Sequence, residues 1–398
     1  MYKLQRDVSV YKIFLFFIFL LLFSLPLSEA IKQSALFFVL IIGIYWVVTQ
    51  EIIVEVDTAF NGAMSYMLAS SVGIVVAQDT SGAFNGFLDV FKITLLFLIV
   101  RSVNFSQVRL ASIITTLFIS FHLALVLGLY HYLNHSNNYL ELKSIGHVNH
   151  SAIYMAIIFA IAFSHICHKL QPKFNLWLIT LVLSFMGLII SGSRAAIFST
   201  IFICLIVLSA YLYCKKIPIK VFATLILGGL IICIFIIVWN SYSYHKILQR
   251  GFDLTGRHDL YISSLRFWFE QSWIHQLFGI GAKNSYLIDF QKYSPGGRLL
   301  GINDAVHVGH SHNTYITLLL EKGIVGVFSY ICFISFVLVK LVKTSSKGYL
   351  TLAAIFIWWL NFIISLANTT FHDENALLMS IIWGLALNQS VEQRDCYS

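Results

Sequence analysis

LWLITLVLSFMGLIISGSRAAIFSTIFICLIVLSAYLY, residues 176–213, is two apolar runs separated by a short polar break at Ser191, Gly192, Ser193 and Arg194. Each run, 176–193 and 195–213, suits a helix that crosses the hydrocarbon core of a bilayer, which takes about 20 residues. Lysines bracket the pair, with Lys169 and Lys173 before it and Lys215, Lys216 and Lys220 after it. Lysine and arginine gather in cytoplasmic loops. Both outer ends therefore belong on the cytoplasmic side, and the break at Arg194 on the external side.

The rest of the chain repeats this hairpin. Of its 398 residues 58% are hydrophobic and 11% charged, whereas a soluble domain carries about a quarter charged residues. Such a chain cannot cover itself with polar surface in water, which excludes a soluble globular protein. Further spans are expected near 11–28, 33–50, 60–77, 86–100, 109–129, 151–168, 221–239, 313–339, 350–368 and 376–389. In the fourth, Asp89 and Lys92 lie one helical turn apart and can pair. The first is read as a retained span rather than a cleaved signal, which leaves both termini cytoplasmic. Lys3, Arg6, Lys12, Arg101, Arg109, Lys340, Lys343 and Lys347 fall on the same side as the lysines above. Opposite them only Lys32 and Lys143 interrupt the short loops. The fold class is thus an all-α polytopic membrane protein with about twelve transmembrane helices. The six cysteines lie in apolar runs or at cytoplasmic ends, so no disulfide framework is expected. Membrane lipid is an expected partner and nucleic acid is not.

One segment breaks the rhythm. Residues 240–312 form a polar, aromatic-rich external loop between a first block of spans, 1–239, and a second, 313–398. A tether needs only a few residues, and loops of this length are usually functional. Residues 259–273, DLYISSLRFWFEQSW, have helical spacing. Leu260, Leu265, Trp268 and Phe269 would form one stripe, lying on the membrane surface or packing on the bundle.

Three constellations could carry chemistry. Arg194 stands at the external boundary among small residues that let an anion approach the backbone; the alternative is an arginine snorkelling to lipid phosphate. Arg257, after Gly256 and at the start of a helix, suits a phosphate; the alternative is a surface pair with Asp259. Arg266, over two turns on, points elsewhere. His307, His310 and His312 lie in the third. No cysteine is near them and the nearby carboxylates lack ligand spacing, which argues against a metal. His312, where the loop re-enters the membrane, is placed to act as a general base; the alternative is a cap for the next helix.

The SGSRA segment 191–196, the GRxxLY-like segment 255–261 and the HxHNxY segment with the following EKGIVG, 310–326, together resemble the O-antigen ligase superfamily, which includes O-antigen polymerases. The resemblance implies a GT-C-like glycosyltransferase in the bacterial inner membrane with a periplasmic active site. The donor would be a polysaccharide on undecaprenyl diphosphate and the acceptor a sugar hydroxyl of lipid A-core. Transfer would be inverting and metal-independent, without a cofactor. On the matching positions Arg194 and Arg257 would contact the diphosphate, His312 would be the catalytic residue, and His310 falls at a less constrained substrate position. The residues agree: no Asp-x-Asp occurs in the chain, so arginines would have to stabilise the leaving diphosphate. Two alternatives stay open. A polymerase would use a second lipid-linked glycan as acceptor. A transporter or flippase would show broken helices and polar groups at mid-membrane.

Overall fold

The computed structural model describes residues 8–134, 139–169, 176–215, 255–290, 292–293, 311–344 and 348–394. Among these the chain is helical, with no strand. The first block holds α1 (Val8–Ser24), α2 (Glu29–Val48), α3 (Thr58–Val75), α4 (Thr80–Ser102), α5 (Gln107–Asn134), α6 (Val148–Lys169), α7 (Leu176–Ser191) and α8 (Arg194–Lys215). The loop region holds α9 (Thr255–Glu270), α10 (Trp273–Phe278) and a 3₁₀ turn at Asn284–Leu287. The chain then continues through α11 (Thr314–Lys343), α12 (Tyr349–Ile364) and α13 (Asp373–Arg394). Every expected span coincides with a helix except 221–239, which lies outside the described residues. By length and composition α2, α4, α5, α6 and α11 can each cross a membrane.

Helix starts are set by side-chain caps that satisfy orphan amides. Asp57 Oδ1 accepts from Phe60 N at 3.0 Å, opening α3, and Asp79 accepts from the Ser81 and Gly82 amides, both at 3.0 Å, opening α4. The bundle closes around α6, whose residues 152–158 and 160–162 are at most 1% exposed. A helix apolar on every side belongs at the centre of a bundle. Beside it the rings of Tyr66, Tyr330, Phe333, Phe371 and Trp383 pack in a chain of contacts 5.4–6.5 Å between centroids.

The helix ends sort into two sets. At one end α3, α4 and α11 are clamped by charge: Arg101 forks onto Asp57 (2.8 and 2.5 Å) and reaches Glu55 (2.9 Å), while Lys340 pairs with Asp57 at 2.8 Å. At the other end the loop elements dock. Gln78 N donates to Ile280 O at 3.1 Å, and Asn284 Nδ2 to Asp79 O at 2.9 Å.

Four local expectations change. Lys32 is not a loop lysine: it lies within α2, 1% exposed, ion-paired with Glu29 and with Glu374 of α13. A cation taken from water needs such partners. The apolar residues of α9 do not share a face. Leu260 and Phe267 are buried with Ile280, Ile288, Phe290 and Leu320, whereas Leu265 and Phe269 are exposed. The helix starts at Thr255, four residues before the expected stretch, and stops at Glu270. Finally, α11 is broken at Gly323 (φ 64°, ψ −169°), a conformation open essentially to glycine alone. The break frees carbonyls from the helix ladder, and the loop takes them. Ile280 N and Gly281 N donate to Leu320 O and Glu321 O, both at 3.0 Å. Gly279 and Gly323 make this possible: a Cβ on the first would meet the Glu321 carbonyl, and on the second the Leu277 carbonyl.

Candidate functional site at the loop end of the bundle

The segment joining α12 to α13, Ser365 to Asn368, presents four successive carbonyl oxygens, and each takes a donor. Thr314 N donates to Ser365 O (2.9 Å), Asn313 Nδ2 to Leu366 O (2.9 Å), Arg257 Nη1 to Ala367 O (2.9 Å) and Thr314 Oγ1 to Asn368 O (3.0 Å). One short loop thus ties the start of α9 to the start of α11. The sequence reading missed it. Its only sign is the change to SLANTT at residues 365–370, at the end of the span expected over 350–368.

Arg257 lies half-buried in the first turn of α9. No ion pair joins it to Asp259 among the described residues; its partner is the Ala367 carbonyl. A guanidinium has five N–H groups in a planar fork. One turn on, Tyr261 Oη donates to the His312 carbonyl at 3.3 Å. Burial holds the Tyr261 phenol above its ordinary range, partly offset by Arg257 and Asn313.

His312 is half-buried, with φ 52°, a left-handed conformation uncommon outside glycine. It does not cap the helix that follows. Asn313 does, its Oδ1 accepting from Ile316 N at 3.1 Å. Ser311, fully buried, bonds the Asn313 carbonyl (3.0 Å) and Thr317 Oγ1 (2.9 Å). His312 is therefore held between two fixed neighbours. His307 and His310 lie outside the described residues.

Arg194 is the first residue of α8, after a turn through Gly192 at φ 71°. Ser193 Oγ bonds Asn149 Oδ1 at 3.0 Å, placing this turn against the start of α6. The next residue, His150, lies tilted beside His372 (5.9 Å between centroids), and His312 is close enough for its charge to act on His150. His372 Nδ1 in turn lies 2.6 Å from Asp373 Oδ2. The imidazole is crowded by protein, which opposes its charge. The bond to Asp373 outweighs this and raises His372 above the ordinary histidine value. Neither His150 nor the His372–Asp373 pair was singled out from the sequence. Arg266 is exposed, with Nη1 3.4 Å from Tyr293 O.

The structure thus brings Arg257 and His312 to one loop, and ties Arg194 to the same end through α6. Arginine forks suit phosphate oxygens, and an imidazole at neutral pH can take a hydroxyl proton. Among the described residues α11 is broken near this end, where the loop backbone fills the gap. No curated protein matches the chain. Residues 179–331 match the family model described as O-Antigen ligase, a stretch that includes Arg194, Arg257 and His312. Over this segment, less than half of its length, the chain is similar to the O-antigen ligase superfamily.

Proposed function

We propose that the protein transfers a polysaccharide from undecaprenyl diphosphate to a sugar hydroxyl of lipid A-core, as an inverting, metal-independent O-antigen ligase. The family match supports ligase- or polymerase-type chemistry in O-antigen assembly; the choice of acceptor is our reading. The observation that carries it is the loop Ser365–Asn368, which binds Arg257 and the His312–Thr314 segment side by side. Arg257 and Arg194 would hold the diphosphate and stabilise its charge as it leaves. His312 would accept the proton of the acceptor hydroxyl, and His310 is kept as a substrate-binding position. Attack from the side opposite the diphosphate inverts the anomeric carbon: the new C–O bond forms as the bond to phosphate breaks.

In this reading the loop end is periplasmic, the protein sits in the bacterial inner membrane and both termini are cytoplasmic. The chain is organised as 1–239, 240–312 and 313–398. The charge distribution supports that orientation, since Arg101, Arg109, Lys340 and Lys343 lie at the opposite end. The test is reconstitution in liposomes with lipid-linked glycan and either lipid A-core or a second lipid-linked glycan, in the presence of EDTA. Product on lipid A-core supports the ligase. Chain extension alone would make the protein a polymerase, and glycan movement without transfer would make it a transporter.

A further inference from the structure

A cavity of about 390 Å³ opens between α3, α4, the start of α6, the 3₁₀ turn, the first half of α11 and the segment before α13. Pockets for small ligands run from about 300 to 1,000 Å³, so it has room for roughly one or two sugar rings. Thr314, two residues after His312, lines it, while Arg194 and Arg257 do not.

Its wall is charged, but its cations are already engaged. Lys283 is ion-paired with Asp89. Lys322, 4% exposed, donates to Tyr66 Oη at 2.8 Å and lies 4.5 Å from the centre of that ring. The carboxylates Asp89, Glu321 and Asp373 all line the space. The imidazoles of His150 and His372 line it too, the latter paired with Asp373 at 2.6 Å. A phosphate or carboxylate entering here would meet three carboxylates, with the ammonium groups and the His372 imidazole already held by other partners. An uncharged polyol meets something else. Carboxylates accept from hydroxyls. The rings of Tyr286 and Phe371 line the space and supply apolar surface for the C–H side of a sugar. Thr369 Oγ1, buried on the same wall, has no hydrogen-bond partner among the described residues. A buried hydroxyl without a partner is unfavourable, and a ligand hydroxyl would relieve it.

We propose that this cavity seats the acceptor sugar and selects an uncharged ring over a phosphorylated or carboxylated one. This rests on the glycosyltransferase reading above. The ring is assigned to the acceptor because the donor's first sugar is attached to the diphosphate, and neither arginine reaches this wall.

The experiment is saturation-transfer NMR on the full-length protein in nanodiscs. The probes are a panel of neutral gluco-, galacto- and manno-oligosaccharides, each paired with its C6-carboxylate or C6-phosphate form. At least one neutral probe should bind, and its charged partner at least tenfold more weakly. Glu321→Gln should reduce that discrimination several-fold by removing one like charge. Thr369→Phe, which fills the space, should abolish probe binding while leaving binding of undecaprenyl diphosphate unchanged. Equal binding of neutral and charged partners, no binding across the panel, or unaltered binding in both variants would overturn the proposal. The liposome assay separates the two readings. Probe binding blocked by Thr369→Phe in a protein that transfers nothing would retain the sugar site and sink the enzyme. Transfer indifferent to both variants would do the reverse.

Discussion

Arg257 donates a hydrogen bond to the carbonyl of Ala367 at 2.9 Å, across 110 residues of chain. A guanidinium held at one nitrogen by a fixed carbonyl is aimed before any substrate arrives, which is how preorganised charge stabilises a transition state. Lysine would keep the charge but lose both the fork and that geometry. Arg257→Lys and Arg194→Lys are each expected to reduce transfer by about 10²–10³-fold, with normal membrane levels. Transfer rates in vesicles matched for protein content check this. Wild-type rates in both variants would leave these arginines with no part in the diphosphate site.

His312→Asn separates chemistry from folding. Asparagine tolerates the left-handed backbone found at this position, and the cap of α11 belongs to Asn313. The variant should insert, retain thermal stability and bind donor. It should lose about 10²–10⁴-fold in transfer, the usual contribution of a positioned base. An active His312→Asn protein would remove the catalytic assignment.

The break in α11 predicts an asymmetry between two glycines. Gly323→Ala forces an alanine into φ 64°, ψ −169°, with its Cβ against the Leu277 carbonyl. About 2 kcal/mol or more of destabilisation is expected. Gly73→Ala, whose Cβ would sit 3.5 Å from the Phe278 carbonyl, should be neutral or stabilising, since alanine is the better helix former. Thermal unfolding in detergent gives both values, and equal midpoints would deny the break its structural role.

At the opposite end Asp57 and Arg101 are 14% and 6% exposed. Burial alone would raise the Asp57 carboxyl, but hydrogen bonds from Arg101, Lys340 and the Phe60 amide hold it well below the usual carboxylate range. A depressed folded-state value means that the stabilisation is present above the unfolded value, near about 3.9. It is lost only as pH falls through the folded one. Asp57→Asn, which leaves Arg101 without its closest partner, should cost about 3 kcal/mol. The difference from wild type should stay constant between about pH 5 and pH 8. A difference that vanishes within that range would mean that another group supplies the effect.

The membrane class, the placement of the spans and the alternation of their ends could be read from the sequence because each is a local property. A run of apolar residues needs lipid whatever surrounds it, and a lysine cluster favours one side of a bilayer on its own. Arg194, Arg257 and His312 could be singled out as candidates for the same reason: each stands in a short contiguous motif. The Arg257–Asp259 pair was the local alternative, and it lost because the carbonyl of Ala367, invisible at that range, is the partner found.

What only the tertiary structure decided is pairing between distant segments. The Ser365–Asn368 carbonyls gain meaning when α9 and α11 arrive beside them. Lys32 becomes a buried ion pair only because Glu374 of α13 packs against α2. The break at Gly323 is filled by backbone from residues 280 and 281, which no local pattern announces. The cavity is drawn from six separate segments, so no spacing along the chain announces it. Hydropathy and charge act on one residue and its solvent, and sequence carries them directly. A hydrogen bond or a void between segments depends on where two backbones meet, and that is set by the packing of the whole bundle.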